Sequence, residues 1–203
     1  PLAALADAVI PLRAGPELSV AATKSYIAAL VAITQLIAAW TEDEALTKAL
    51  AELPAALDTA WNLDWTGGGA RLKDASNLYV LGRGVGFGVA LEAALKFKET
   101  CGLHAEAFSA AEVLHGPMAL VTKGFPALVF AQNDESRDSV EDMARGLRQR
   151  GAEVLLAAPG QDGPDVLPAL ASHPVLEPIL MVQSFYRMAD ALSVARGYDP
   201  DSP

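Results

Sequence analysis

Ala90–Leu120 reads ALEAALKFKETCGLHAEAFSAAEVLHGPMAL. At about 100° per residue, Lys96 falls about 40° and Glu99 about 20° to either side of Glu92, so the three share one helix face. Ala90, Leu91, Ala93, Ala94, Leu95 and Phe97 surround them, and Lys98 is the one charge off the stripe. On an exposed helix such a stripe is an ordinary i,i+4 pair worth a few tenths of a kcal/mol (~0.2–0.5). On a helix this apolar, the stripe is expected to face a cleft or a paired charge. His115 precedes Gly116-Pro117, which places it on a loop or a helix end near that stripe.

Short apolar runs flank this helix at Asn77–Leu81, Ala127–Ala131 and Glu153–Ala157, with a further short strand expected at Val175–Leu176. Helices are expected at about Phe87–Cys101, Ala110–Val113, Ser136–Arg150 and Ile179–Arg196. Short apolar strands separated by helices imply an α/β fold with a parallel sheet covered on both faces. Upstream, the pattern predicts a strand at Ala8–Leu12, a turn at Gly15-Pro16, a core helix over Ser19–Trp40, and two helices at Glu42–Glu52 and Pro54–Asn62. Trp65–Gly69, with three consecutive glycines, is the expected linker. Ser25 and Tyr26 align with Ser184 and Phe185 in a faint internal repeat, so the chain reads as a piece of a longer protein whose first unit keeps only its end.

The 203 residues carry a net charge of −10, with 52% hydrophobic and 20% charged residues. No basic stripe is present to neutralise phosphodiesters, which argues against nucleic acid as a partner. A small phosphorylated ligand stays compatible, because helix-start N–H groups hold a phosphate locally; Gly15–Lys24 offers such a start. The longest apolar stretch, Tyr26–Trp40, is interrupted by Thr34 and Gln35 and is short for a bilayer, so no membrane partner is expected. One cysteine, Cys101, fits a packing role in a reducing cytoplasm. Metal ligation is not expected without a Cys pair or HExxH. Gly82–Gly88 follows a strand and opens a helix, but its spacing fails the dinucleotide fingerprint, so a tight turn near a ligand or another chain is the better reading.

The stretch above closely resembles the second sugar-isomerase (SIS) domain of the glucosamine-6-phosphate synthase group and its short relatives. AGPELSVAATKSYIAAL, Ala14–Leu30, resembles the end of the first SIS domain in the same proteins. The resemblance implies flavodoxin-like three-layer αβα SIS domains, the first truncated on its N-terminal side. Residues 1–66 would be the end of that domain with linker helices, and residues 67–203 the second. It also implies a homodimer, a sugar-phosphate substrate (glucosamine 6-phosphate or fructose 6-phosphate) and no cofactor. Carried over by position, Glu99 matches the carboxylate that moves a proton between C1 and C2 through an enediol. His115 matches a ring-opening histidine that reaches the neighbouring subunit's site, and Lys96 a lysine beside the base. Val20, with Ala21 next to it, matches a backbone contact to the sugar. The phosphate loop and the C-terminal lysine of the family fall outside this sequence, so the segment alone is expected to be inactive. The implied activity is glucosamine 6-phosphate isomerisation and deamination. Glutamine-dependent amination of fructose 6-phosphate and a non-catalytic sugar-phosphate sensor are the alternatives.

Overall fold

Apolar runs form the centre of a parallel sheet, and the chain reaches them after three helices. The computed structural model describes residues 2–202. After a 3₁₀ turn at Leu2–Ala4, the elements are α1 (Lys24–Thr41), α2 (Glu44–Trp61), α3 (Thr66–Leu72), β1 (Asn77–Gly82), α4 (Gly86–Cys101) and β2 (His104–Ser109). Then come 3₁₀ turns at Val113–His115 and Pro117–Leu120, β3 (Pro126–Phe130), α5 (Arg137–Gln149), β4 (Glu153–Ala157), β5 (Val166–Leu167) and α6 (Glu177–Ala195). The five strands are all parallel in the order β2-β1-β3-β4-β5. That is the flavodoxin-like doubly wound order.

Both faces of the sheet are dry. Leu78, Val80, Leu128, Phe130 and Leu155 point to a core shared with α3, α4 and α6, where Phe97 and Phe185 meet edge-to-face at 5.0 Å. Tyr79, Leu81, Val129, Val154 and Leu156 point the other way, onto Val140, Met143 and Leu147 of α5. Period-2 alternation therefore serves two cores, and the central strands β1, β3 and β4 read as apolar runs. A third cluster packs Ala38, Leu46, Leu53 and Ala60 of α1 and α2 onto Leu176, Ile179 and Leu180 at the start of α6.

Several expectations are corrected. Residues 8–12 form no strand: they are exposed, and among the described residues no sheet edge lies beside them, so their backbone groups have only solvent. The first long helix starts at Lys24 instead of Ser19, for a reason given below. It is not a core helix, since only Thr34 and Ala38 are buried on it. By length and composition α1 is long and apolar enough to cross a membrane; here one face packs on α2. Glu42–Glu52 and Pro54–Asn62 merge into α2, because Leu46, Leu53 and Ala60 recur at heptad spacing and pack as one stripe through the exposed Pro54.

Trp65–Gly69 is not a linker. Gly68 and Gly69 are buried inside α3, where a Cβ on Gly68 would stand 2.8 Å from Leu167 Cδ2 and one on Gly69 3.3 Å from Met188 Cγ. The glycines let α3 approach the sheet and α6 closely. No helix spans Ala110–Val113; Gly116-Pro117 limits that segment to 3₁₀ turns. Val175–Leu176 is a turn closed by Leu176 and Glu177 N–H bonds to the His173 carbonyl, so it cannot pair with β4; the edge strand is β5.

Gly102 ends α4 in the left-handed region (φ 55°), its N–H on the Phe97 carbonyl, and a Cβ there would overlap the Tyr198 ring. Gly102→Ala is therefore expected to lower the melting temperature, by roughly 1–3 kcal/mol of strain. Gly146, mid-helix in α5 with open space around it, is the contrast: Gly146→Ala should be neutral or stabilising by about 0.5–1 kcal/mol. Thermal unfolding of the two variants checks both.

Candidate active site

Val89, Ala90, Ala93, Ala94 and Phe97 are the buried apolar face by which α4 packs on both β1 and α6, and this burial carries Glu92 and Lys96 inward. Glu92 is 8% and Lys96 4% exposed. The Lys96 ammonium lies 2.6 Å from Glu99 Oε2 and 3.6 Å from Glu92 Oε1. Glu99 is half-buried. The stripe expected from the sequence thus exists as a buried cation between two carboxylates. Glu92 Oε1 also accepts a 2.7 Å hydrogen bond from the Tyr186 hydroxyl of α6. Burial pushes the Glu92 carboxyl above its ordinary range, with Tyr186 and Lys96 opposing. The Tyr186 phenol is pushed up by burial first and by its bond to Glu92 second.

A cavity of about 300 Å³ opens beside this cluster. Lys96 and Tyr186 form one wall and Ser19, Ala21, Thr23 and Lys24 the opposite one. That second wall is held by Glu17. Its carboxylate accepts the backbone N–H of Thr23 (2.8 Å), Lys24 (2.9 Å) and Ser25 (3.2 Å) together with the Ser25 hydroxyl. The anion that the helix start was expected to attract is therefore the chain's own side chain. This is also why α1 begins at Lys24: Glu17 holds residues 19–23 as a bent segment in front of it. The Ser25 hydroxyl and then the Thr23 N–H bring the Glu17 carboxyl down to about 2. Tyr26, half-buried, is pushed up to about 12 by that burial first and by Glu92 second, and donates to the Gly88 carbonyl at 3.1 Å.

Of the residues singled out from the sequence, Lys96 and Ala21 line the cavity and Glu99 stands beside it through Lys96. Val20 is 77% exposed, with its side chain turned out. His115 is elsewhere. Because α4 joins two adjacent parallel strands, it returns from their C-terminal to their N-terminal edge. Glu99, just before β2, lies at one edge, and His115, after β2, at the other. A six-residue strand separates the edges by about 20 Å. His115 is exposed there.

The glycines of Gly82–Gly88 serve the fold itself. A Cβ on Gly86 would collide with the Gln132 side chain, and Gly84 sits at φ 57° below Asp134. Cys101 is buried, as expected of a packing residue, with its thiol 3.4 Å from the Ala189 carbonyl. Sequence reasoning missed Tyr186, which meets Glu92 across 94 residues of chain and carries no local signal. It placed Glu17, with Ser19, near the start of the first long helix, and Glu17 is the residue that caps it.

Residues 71–163 match the family described as SIS domain. The match takes in just under half of the chain, from the end of α3 through β4. A glutamine–fructose-6-phosphate aminotransferase [isomerizing] of Aeropyrum pernix is 40% identical over 98% of this chain and 35% of its own length. A provisionally assigned phosphosugar isomerase structure from Silicibacter pomeroyi is 42% identical, with a TM-score of 0.92 over 98% of this chain and 62% of that one. Glucosamine-6-phosphate deaminase of Thermotoga maritima is 26% identical with a TM-score of 0.73, over 93% of this chain and 56% of that one. The chain thus spans about a third of the length of the curated relatives it matches.

Glu17 has a folded-state pKa far below its ordinary value, so its contribution is complete above about pH 4.5 and fades as pH falls toward 2. The protection of the amides of residues 19–25, taken relative to their intrinsic exchange rates, should fall through that window. In Glu17→Gln, protection should be low at every pH; a wild-type segment equally protected at pH 2.5 and 7 would contradict this.

Proposed function

We propose that this chain is the segment of an amino-sugar-phosphate isomerase that carries the proton-transfer helix, acting on glucosamine 6-phosphate to give fructose 6-phosphate and ammonia. The carrying observation is the Lys96–Glu99 pair, half-sheltered beside a 300 Å³ cavity whose other wall is the Ser19–Lys24 segment. The cavity is large enough to admit part of a hexose phosphate. Lys96 lines the cavity and holds Glu99 beside it in one orientation, as a positioned base requires. In the proposed reaction Glu99 takes the C2 proton of the open-chain amino sugar and returns it to C1 through an enediol-type intermediate. Water then adds at C2, and ammonia leaves.

The edge-to-edge separation supports a homodimer in which His115 serves the neighbouring subunit's site, since one subunit cannot bring it to its own Glu99. Residues 1–66 are read as the end of a first SIS domain and residues 67–203 as a second. Consistent with this, Ile33, Leu36, Ile37 and Trp40 leave an apolar face of α1 open to solvent, as a helix that packs on a further layer would. A second reading, glutamine-dependent amination of fructose 6-phosphate, is favoured by the names of the curated relatives.

The test uses the full-length protein. Incubated with glucosamine 6-phosphate and no glutamine, it should release ammonia and fructose 6-phosphate in equal amounts. Turnover only with fructose 6-phosphate plus glutamine selects the second reading, and silence in both with binding retained selects a sensor. Glu99→Gln should lower kcat by about 10²–10⁴-fold with binding kept. Glu99→Gln and His115→Ala, each inactive, should regain about a quarter of wild-type activity when refolded together, because half of the dimers then carry one intact site. No recovery would show that His115 does not serve the neighbouring subunit's site.

A further inference from the structure

Tyr186 is the residue at this site that no motif accounts for. It is 8% exposed, lines the cavity, and its hydroxyl donates to the one carboxylate oxygen, Glu92 Oε1, that also faces the Lys96 ammonium. We infer that Tyr186 is a positioning residue: by donating to Glu92 it keeps that carboxylate ionised 3.6 Å from the Lys96 ammonium, so that Lys96 faces a second negative charge while it is hydrogen-bonded to Glu99. The inference rests on the proton-transfer reading above and deepens it.

The argument is one of charge balance. With both carboxylates ionised the cluster carries a net charge of −1, and the Glu92 charge draws on the same ammonium that holds Glu99. Burial works against that charge at Glu92. A short hydrogen bond from a neutral donor is what a buried carboxylate needs to stay ionised. Without it, Glu92 takes up a proton at higher pH, the cluster becomes neutral, and the Lys96 ammonium is left to Glu99 alone. The surrounding groups are Glu17, Lys24 and Tyr26 from the α1 side, Asp190 of α6, and Asp201 across the cavity. They are the same in every variant below, so their contribution is common. The hydroxyl acts through Glu92 only, so its loss matters only while Glu92 can ionise.

The experiment compares wild type, Tyr186→Phe, Glu92→Gln and the double variant in the full-length protein, following kcat/KM against pH with the substrate found active above. Tyr186→Phe should move the acidic limb upward by about one pH unit and lower kcat more than it raises KM. In the Glu92→Gln background, Tyr186→Phe should leave the limb where it is. An unmoved limb in Tyr186→Phe, or an equal shift in both backgrounds, would overturn the inference and leave Tyr186 a packing residue. The same samples, labelled with ¹³C at glutamate carboxylates, provide a readout without turnover. If no sugar phosphate is converted, the functional reading fails on its own. An upward shift of the Glu92 titration in Tyr186→Phe would then still uphold the electrostatic link, and its absence would remove it.

Discussion

A lysine ammonium buried to 4% exposure cannot remain unpaired, and the placing of Lys96 constrains much of this molecule. Its two carboxylates come from its own helix, at i−4 and i+3, so the charge is neutralised locally whatever else packs on α4. That local solution leaves one carboxylate in excess. The excess falls on Glu92, the more buried of the two, and the fold answers it from α6 through Tyr186. Removing either partner of such a cluster strands a charge in low dielectric, so α4 and α6 are tied by chemistry as well as by the Phe97–Phe185 contact.

α6 carries further ties to the same helix. Ser193 donates to the Thr100 carbonyl at 2.6 Å, Cys101 lies against the Ala189 carbonyl, and Arg196 just beyond α6 donates to the Cys101 carbonyl at 2.8 Å. Arg196 also binds the carbonyls of Lys73 and Ala75 after α3. These bonds satisfy carbonyls that helix ends leave without donors. They fix the C-terminal half of α4, where Glu99 stands. The opposite wall of the cavity depends on a separate device, the Glu17 carboxylate folded back onto the start of α1. The candidate site therefore lies between two independently anchored pieces of chain.

The resemblance to SIS domains and the similarity to longer relatives agree with this division. The family match covers residues 71–163, the part that contains α4 and the sheet from β1 to β4, while the cavity needs residues 17–24 and α6 as well. The matched stretch thus supplies α4 with Glu92, Lys96 and Glu99, and the wall facing it comes from sequence outside that stretch.

The sequence by itself determined the elements whose signal is local. β1, β3 and β4 are apolar runs because both faces are covered, and the Glu92/Lys96/Glu99 stripe follows from helix periodicity alone. Where neighbours decide, it misled. β2 reads HAEAFS, an edge strand with polar alternation, and gave no apolar run. The three glycines before Ala70 look like a linker until Leu167 and Met188 are packed on them. Pro54 looks like a break until the stripe through Leu53 holds the helix together. Only the tertiary structure decided that Tyr186 meets Glu92, that Glu17 fills the anion site of α1, and that His115 stands at the far edge of the sheet from Glu99. Each of these depends on contacts between distant segments or on the direction in which a helix crosses the sheet, and neither leaves a mark on the neighbouring residues.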